Sequence, residues 1–167
     1  MSESFDVVVI GGGPSGSCAA SMAAKAGLSV VLLERDKFPR EHVGESLLPA
    51  SMPILRELGV EAEIAAAGFP VKYGATMVWG SGSEPWTWRF SETNQEYTSA
   101  YQVNRPEFDT IILNRARALG VDVREETQVI EVIFQDDRAV GVSCRKRLED
   151  HSFIESGMVI ECRGQSS

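Results

Sequence analysis

Gly11, Gly13 and Gly16 stand at the spacing G-x-G-x-x-G directly after the apolar run Val7 to Ile10, and Glu34 closes a second apolar run, Val30 to Leu33. Together these residues can hold a dinucleotide. In such a turn the first glycine permits the tight reversal, the second lets the main chain approach a pyrophosphate, and the third brings helix and strand close together. The helix that follows offers unpaired N–H groups and the positive end of its dipole. The dipole contributes only ~0.3–1 kcal/mol, so direct contacts must supply most of the binding. A carboxylate at the tip of the second strand accepts the hydroxyls of an adenosine ribose and repels a 2′-phosphate, which disfavours NADP.

The glycine spacing alone is a weak signal, and a βαβ unit with an incidental glycine turn is the alternative. The surrounding elements separate the two. Ala19, Ala20, Ala23 and Ala24 keep the intervening helix slim against a sheet, Gly27 sits where a helix C-cap favours positive φ, and Val30 to Leu33 reads as a buried parallel strand. Beyond Glu34, Arg35 to Glu45 is a polar loop leading to a helix over 47–58, with Ser46 as N-cap, Pro49 in the first turn and Gly59 at its end. From Val71 to Val103 aromatic and β-favouring residues alternate between turns, which predicts an inserted sheet. Trp86 and Trp88 are read there as alternating strand residues that pack one face. Asn104 and Glu107 form a capping-box start for a helix with Phe108, Ile111, Ile112 and Leu119 on one face, closed by Gly120. Val121 to Val123 then reads as a short parallel strand. An antiparallel meander follows over 127–134, 139–144 and 152–161, with turns at Asp136-Asp137 and Glu149-Asp150, and its last segment can return to the main sheet.

Composition narrows the class. At 167 residues, with 43% hydrophobic and 24% charged residues, the chain suits one compact domain, 1–167, with a real core. The net charge of −8 and the lack of a Lys/Arg stripe make nucleic acid and anionic membranes poor partners. Glu3 and Asp6 replace a basic leader, and Val7 to Ile10 is too short for a signal peptide or a membrane span, so a cytoplasmic location is expected. Cys18, Cys144 and Cys162 are odd in number and widely spaced, with only two histidines in the chain, which disfavours a disulfide framework and a metal site. Cys18 has the size expected of helix packing and receives no redox role.

The order of GGGPSG, an acid at the second strand tip, FPREHVGESLLP, GFPVKYGA and YQVNRPEFD resembles the flavin-dependent halogenases. These form a tryptophan-halogenase-like branch of the FAD-dependent aromatic hydroxylase superfamily, and the resemblance covers residues 5–162. It implies an α/β, Rossmann-like FAD-binding fold with a parallel sheet, an antiparallel β-meander and an inserted, substrate-side sheet at 71–103. It also implies FAD, with Gly11, Gly13, Pro14, Ser15 and Gly16 on the pyrophosphate and Glu34, with Arg35 beside it, on the adenosine. By the same likeness Gly44, Glu45 and Ser46 pass the isoalloxazine, Gln102 and Arg105 reach the ribityl and phosphate region, Val129 lies near the adenine, and Gly164 meets the cofactor through its backbone. Read without the family, Glu45, Gln102 and Arg105 would be solvated surface groups.

The implied activity is halogenation of an electron-rich aromatic ring in secondary metabolism. A flavin reductase supplies reduced FAD, O₂ and halide are consumed, and the substrate is a small aromatic or one tethered to a carrier protein. Lys72 is the catalytic candidate, because the resembling enzymes place a lysine after the GESLLP helix to orient and polarise hypohalous acid, or to carry the halogen as a haloamine. Burial can make either the charged or the neutral lysine accessible. A solvent-facing lysine at a strand edge is the alternative. The other functional readings are an aromatic hydroxylase or reductase of the same superfamily and a non-catalytic FAD-binding fragment.

Three features depart from, or could be mistaken for, the family pattern. Trp86-Thr87-Trp88 precedes the position of the halogenase W-x-W-x-I-P signature and is not counted toward halogenation. Where relatives have a D-A-S-G-like segment, this chain has Glu161-Cys162-Arg163-Gly164, so Arg163 either crowds the cofactor or turns outward. Relatives also continue with further cofactor strands and most of the substrate pocket. The chain alone is therefore expected to clasp FAD by half, and to be poorly soluble or completed by a partner segment.

Overall fold

The computed structural model describes residues 3–146 and 151–164. The turn expected around Glu149-Asp150 lies outside the described residues. Two compact units emerge: one joins the residues up to Glu41 to those from Asp109 onward, and the other is His42–Phe108.

In the first unit, strand β1 (Glu3–Ile10) leads through the glycine turn into helix α1 (Pro14–Lys25) and strand β2 (Val30–Leu33). Helix α1 ends as its sequence demands. Gly27 has φ +85°, its N–H donates to Ala24 O at 2.9 Å, and Leu28 N–H donates to Ala23 O at 3.2 Å, the paired bonds of a Schellman cap.

The second unit opens with a 3-10 turn, Pro49–Ser51, followed by α2 (Met52–Leu58) and α3 (Glu61–Ala66). The expected helix over 47–58 is thus shorter, and Ser46 is not its N-cap: Ser51 holds that position, without a side-chain cap bond. Pro49 starts only the 3-10 turn, while Ser46 is drawn instead into a β-bridge with Gln102. Gly59 terminates α2 in the left-handed region, at φ 72°. Strands β3 (Val71–Lys72), β4 (Gly74–Met77), β5 (Trp86–Arg89) and β6 (Ala100–Tyr101) make two small antiparallel ladders, β3 with β6 and β4 with β5. Phe69 and Phe108 meet edge to face at 6.4 Å, as do Trp88 and Phe90 at 5.3 Å. Trp86 is 54% exposed, and of the two tryptophans only Trp88 has a ring partner among the described residues.

Helix α4 (Arg105–Ala118) starts with Glu107 N–H donating to the Asn104 side chain, as the capping box requires. Its buried positions are Arg105, Phe108, Asp109, Ile112, Leu113 and Ala116, and Ile111 is only half-buried. The chain continues through β7 (Asp122–Arg124), β8 (Thr127–Gln135), β9 (Arg138–Lys146) and β10 (Ser152–Glu161).

The six-stranded sheet of the first unit has the order β7-β2-β1-β10-β9-β8. Strands β7, β2, β1 and β10 run parallel, while β10, β9 and β8 form the antiparallel meander, so the last segment does return to the main sheet. Alternate residues of β1 and β2 enter two cores. Val7, Val9, Val30 and Leu32 pack with Ala20, Leu113 and Ala116, whereas Val8, Ile10, Val31 and Leu33 pack with Val129, Val142, Cys144 and Ile154. Burial on both faces is why these strands read as continuous apolar runs rather than as alternating ones. Ile10 is level with Leu33 and with Glu161, so the glycine turn, Glu34 and Cys162 all leave the sheet at the carboxyl ends of its parallel strands. The chain passes from β1 to one side while β10 lies on the other, and open α/β sheets bind ligands at such a switch point. No helix among the described residues is long and apolar enough to cross a membrane.

Candidate functional site: a glycine turn with a buried acid and arginine, and a lysine held by a loop

The three glycines of the fingerprint are required for different reasons. Gly11 has φ +101°, and a Cβ there would lie 2.7 Å from Cys162 O. A Cβ on Gly16 would lie 1.9 Å from Gly11 O, which is impossible without parting helix and strand. Gly13 is unlike both. Its backbone, φ −65° and ψ −177°, suits any residue, and a Cβ would meet nothing nearer than Arg40 Nη2 at 3.4 Å. The polypeptide itself leaves this position room for a side chain. Gly13 is also the N-cap of α1, has no side-chain cap bond, and is followed by Pro14.

Glu34 is buried, at 4% exposure, and both of its oxygens are oriented by the main chain. Oε2 accepts from Gly12 N–H at 2.6 Å and Oε1 from Asp36 N–H at 2.8 Å. Each carboxylate oxygen keeps a further lone pair for a hydroxyl. Gly12, which carried no role in the sequence reading, makes this possible: a Cβ on it would come within 3.2 Å of the Glu34 side chain.

Arg40 is the residue that sequence reasoning missed. Its guanidinium lies 4.8 Å above the Phe38 ring, and its nitrogens stand 3.9 Å from each of Glu34, Asp36 and Asp109. Those are ion-pair distances and not hydrogen bonds. Nε and Nη1 are buried without a hydrogen-bond partner among the described residues. Buried donors in native structures are nearly always satisfied, so an anion that accepts from them fits this place. The only sequence signal was membership of Arg40 in FPREHVGESLLP.

The other predicted residues of this unit fall as follows. Ser15 is exposed in the first turn of α1. Arg35 is exposed and pairs with Asp36 at 3.6 Å. The Val129 side chain is spent in the core, which leaves its main chain on the edge strand β8. Gly164 has φ +72° with open space around it. Arg163 folds back on Glu161, donating Nε at 2.9 Å and Nη2 at 2.6 Å, and both side chains are about half exposed. The arginine thereby lowers the Glu161 pKa. Burial, with Cys162 close by, pushes the Cys18 thiol up to about 11.

In the second unit the loop residues converge with Lys72. Val103 N–H donates to Glu45 O at 2.8 Å and Leu47 N–H to Tyr101 O at 3.0 Å, so the loop 45–47 runs antiparallel beside 101–103 with Ser46 opposite Gln102. The Gln102 amide reaches Glu45 Oε2 at 3.4 Å. Arg105, 7% exposed, donates Nη1 to Val43 O at 2.8 Å and Gly44 O at 3.2 Å, and contacts His42 Nδ1 at 3.3 Å. Gly44, at φ +103°, lets this guanidinium close on the loop. The Lys72 ammonium donates to Ser46 Oγ and to Leu47 O at 2.9 Å, and lies 5.6 Å from the centre of the Phe90 ring. Lys72 lies in the two-residue strand β3 and is half-buried.

Residues 4–167 match the model of the FAD binding domain. The chain belongs to this FAD-binding family. FAD is accordingly its cofactor, in keeping with a turn that leaves space at Gly13 and with Arg40, two of whose nitrogens are buried without a hydrogen-bond partner among the described residues. The chain is 35% identical to a 1H-pyrrole-2-carbonyl-[peptidyl-carrier protein] chlorinase of Pseudomonas fluorescens, covering 97% of this chain and 40% of that protein. It is 38% identical to a tryptophan 2-halogenase of Chondromyces crocatus, covering 87% of this chain and 27% of that protein. The solved myxobacterial chondrochloren halogenase, a FAD-dependent halogenase, superposes with a TM-score of 0.91 at 44% identity, over 99% of this chain and 38% of that one. The chain thus spans well under half the length of these relatives.

Proposed function

We propose that the protein acts as a FAD-dependent halogenase on an electron-rich aromatic substrate. Reduced FAD with O₂ supplies the two-electron oxidant that converts halide to hypohalous acid. Overall, reduced FAD, O₂, halide, a proton and Ar–H give FAD, Ar–X and two waters: a C–H and the O–O bond break, a C–X bond forms, and the ring proton passes to solvent.

Gly11, Gly13 and the N–H groups of Ser15 and Gly16 would line the pyrophosphate, with Arg40 donating Nε and Nη1 to its oxygens. Glu34 would take the adenosine ribose hydroxyls on its free lone pairs, and Arg35 and the main chain at Val129 would flank the adenine. Gly44, Glu45 and Ser46 would pass the flavin ring, with Gln102 and Arg105 toward the ribityl chain and Gly164 contributing backbone. Arg105 would also serve by holding the loop 43–44. Lys72 would donate an N–H to the oxygen of the hypohalous acid, so that this oxygen leaves as water while the halogen passes to the ring.

The observation that carries the reading is the Lys72 ammonium, fixed by two acceptors and an aromatic face, in a chain whose named relatives are halogenases. Both acceptors and the ring face suit an ammonium. The donor role is therefore favoured over the haloamine, which needs a neutral nitrogen. A flavin reductase would deliver reduced FAD, and the naming of the pyrrolyl-carrier chlorinase supports a carrier-tethered ring as one substrate class.

Lys72→Ala is the test. Halogenated product is expected to vanish while the flavin's electrons end in hydrogen peroxide. Product formed at the wild-type rate would remove Lys72 from the chemistry.

A further inference from the structure

Lys72 is held by two consecutive residues, and they differ in kind. Leu47 contributes a main-chain carbonyl, which any residue would supply at that position, whereas Ser46 contributes a side-chain hydroxyl. Ser46 is itself fixed. The bonds from Val103 N–H to Glu45 O and from Leu47 N–H to Tyr101 O stand on either side of its bridge to Gln102, so the hydroxyl leaves a short antiparallel ladder and not a loose loop. A lysine ammonium has three N–H donors on a flexible four-carbon stem, and one acceptor leaves it free to swing. Two acceptors on adjacent residues, with the Phe90 ring beside the nitrogen, remove that freedom and leave one N–H unspent.

We propose that Ser46 is a positioning residue whose hydroxyl, set by the pairing with Gln102, fixes the direction of the Lys72 ammonium and so determines which N–H is left to meet the oxidant. The proposal rests on the reading of Lys72 as the catalytic lysine. It assigns to Ser46 a task beyond passing the flavin: without the hydroxyl the ammonium pivots about Leu47 O alone.

Kinetics and side-chain NMR on the FAD-loaded enzyme test it. Ser46→Ala is expected to lower kcat for halogenated product about tenfold, the effect of losing one charge-assisted hydrogen bond, with KM for the aromatic substrate within about twofold. Ser46→Thr, which keeps the hydroxyl, should retain at least about half of the wild-type kcat. In ¹⁵N spectra of the lysine side chains, the slowly exchanging Lys72 ammonium signal should persist in wild type and Ser46→Thr and broaden in Ser46→Ala. An unchanged kcat and ammonium signal in Ser46→Ala would overturn the proposal. Equal loss in Ser46→Ala and Ser46→Thr would overturn it too, since the shape of the loop and not the hydroxyl would then matter. Full halogenation by Lys72→Ala would bring down the underlying reading and this proposal together, whereas an inactive Lys72→Ala beside a fully active Ser46→Ala would sink only the role of Ser46.

Discussion

Gly13→Ala and Gly16→Ala should fail in opposite ways, although both add a single methyl group to one turn. At Gly16 the new Cβ would stand 1.9 Å from Gly11 O and 3.2 Å from Cys162 Cβ, so α1 must move away from β1 by more than about 1 Å to reach ordinary contact. That displacement loosens the packing around Ala20, which is fully buried. Overpacking of this kind costs ~3 kcal/mol or more, and replacing a helical glycine by alanine returns ~0.5–1 kcal/mol. The net loss of ~2–3 kcal/mol corresponds to a drop in Tm of about 5–10 °C for a chain of this size. At Gly13 the backbone already suits alanine and only Arg40 Nη2, at 3.4 Å, is near. The apo protein should therefore melt within about 2 °C of wild type, or slightly above it, because alanine restricts the unfolded chain. The methyl group would instead intrude where the pyrophosphate is proposed to lie. A steric cost of ~1–3 kcal/mol there weakens FAD by about 5- to 150-fold. Differential scanning fluorimetry of the apo proteins, paired with fluorescence titration of FAD, separates the two effects. Wild-type FAD affinity in Gly13→Ala would refute the placement of the diphosphate, and an unshifted melt for apo Gly16→Ala would refute the packing argument.

Arg40→Met removes the cation whose Nε and Nη1 have no hydrogen-bond partner among the described residues, and FAD affinity measured by the same titration should fall about tenfold or more; the flavin-free melt should fall too, since the buried Glu34 and Asp109 carboxylates lose the cation that faces them. Cys18, with its thiol pushed up to about 11, should hold on the order of one thiolate in a thousand at pH 8, the fraction rising only as the pH nears that value. Mass-spectrometric mapping after brief iodoacetamide treatment at pH 8 should find it scarcely labelled in the native protein and fully labelled in urea; rapid native labelling would contradict its burial.

The parts of the fold encoded within a few neighbouring residues were legible in the sequence. The Gly11 reversal, the Gly27 cap, the Asn104 cap and the two-faced apolar strands each follow from local sterics or from periodicity, and each is found. The return of β10 to β1 stood as an option for the last segment of the meander, and it is found. Interactions set by chain segments far apart were not legible. Arg40 and Asp109 meet only when the loop after β2 and the middle of α4 are brought together, and nothing in either segment announces the other. Ser46 looked like a helix cap because Ser before an apolar run usually is one. Its pairing with Gln102 and its bond to Lys72 involve three separate segments and win over the local preference. Gly12 was overlooked because its purpose, admitting the Glu34 carboxylate, is a matter of packing.

Mass spectrometry of the aromatic product formed with a flavin reductase, FAD, O₂ and the enzyme, run with and without chloride, tests the halogenase function most directly. The expected product carries one halogen with its isotope doublet, forms only when chloride is present and disappears in Lys72→Ala. A product that gains oxygen to the same extent with or without chloride would mark a hydroxylase and contradict the proposed function.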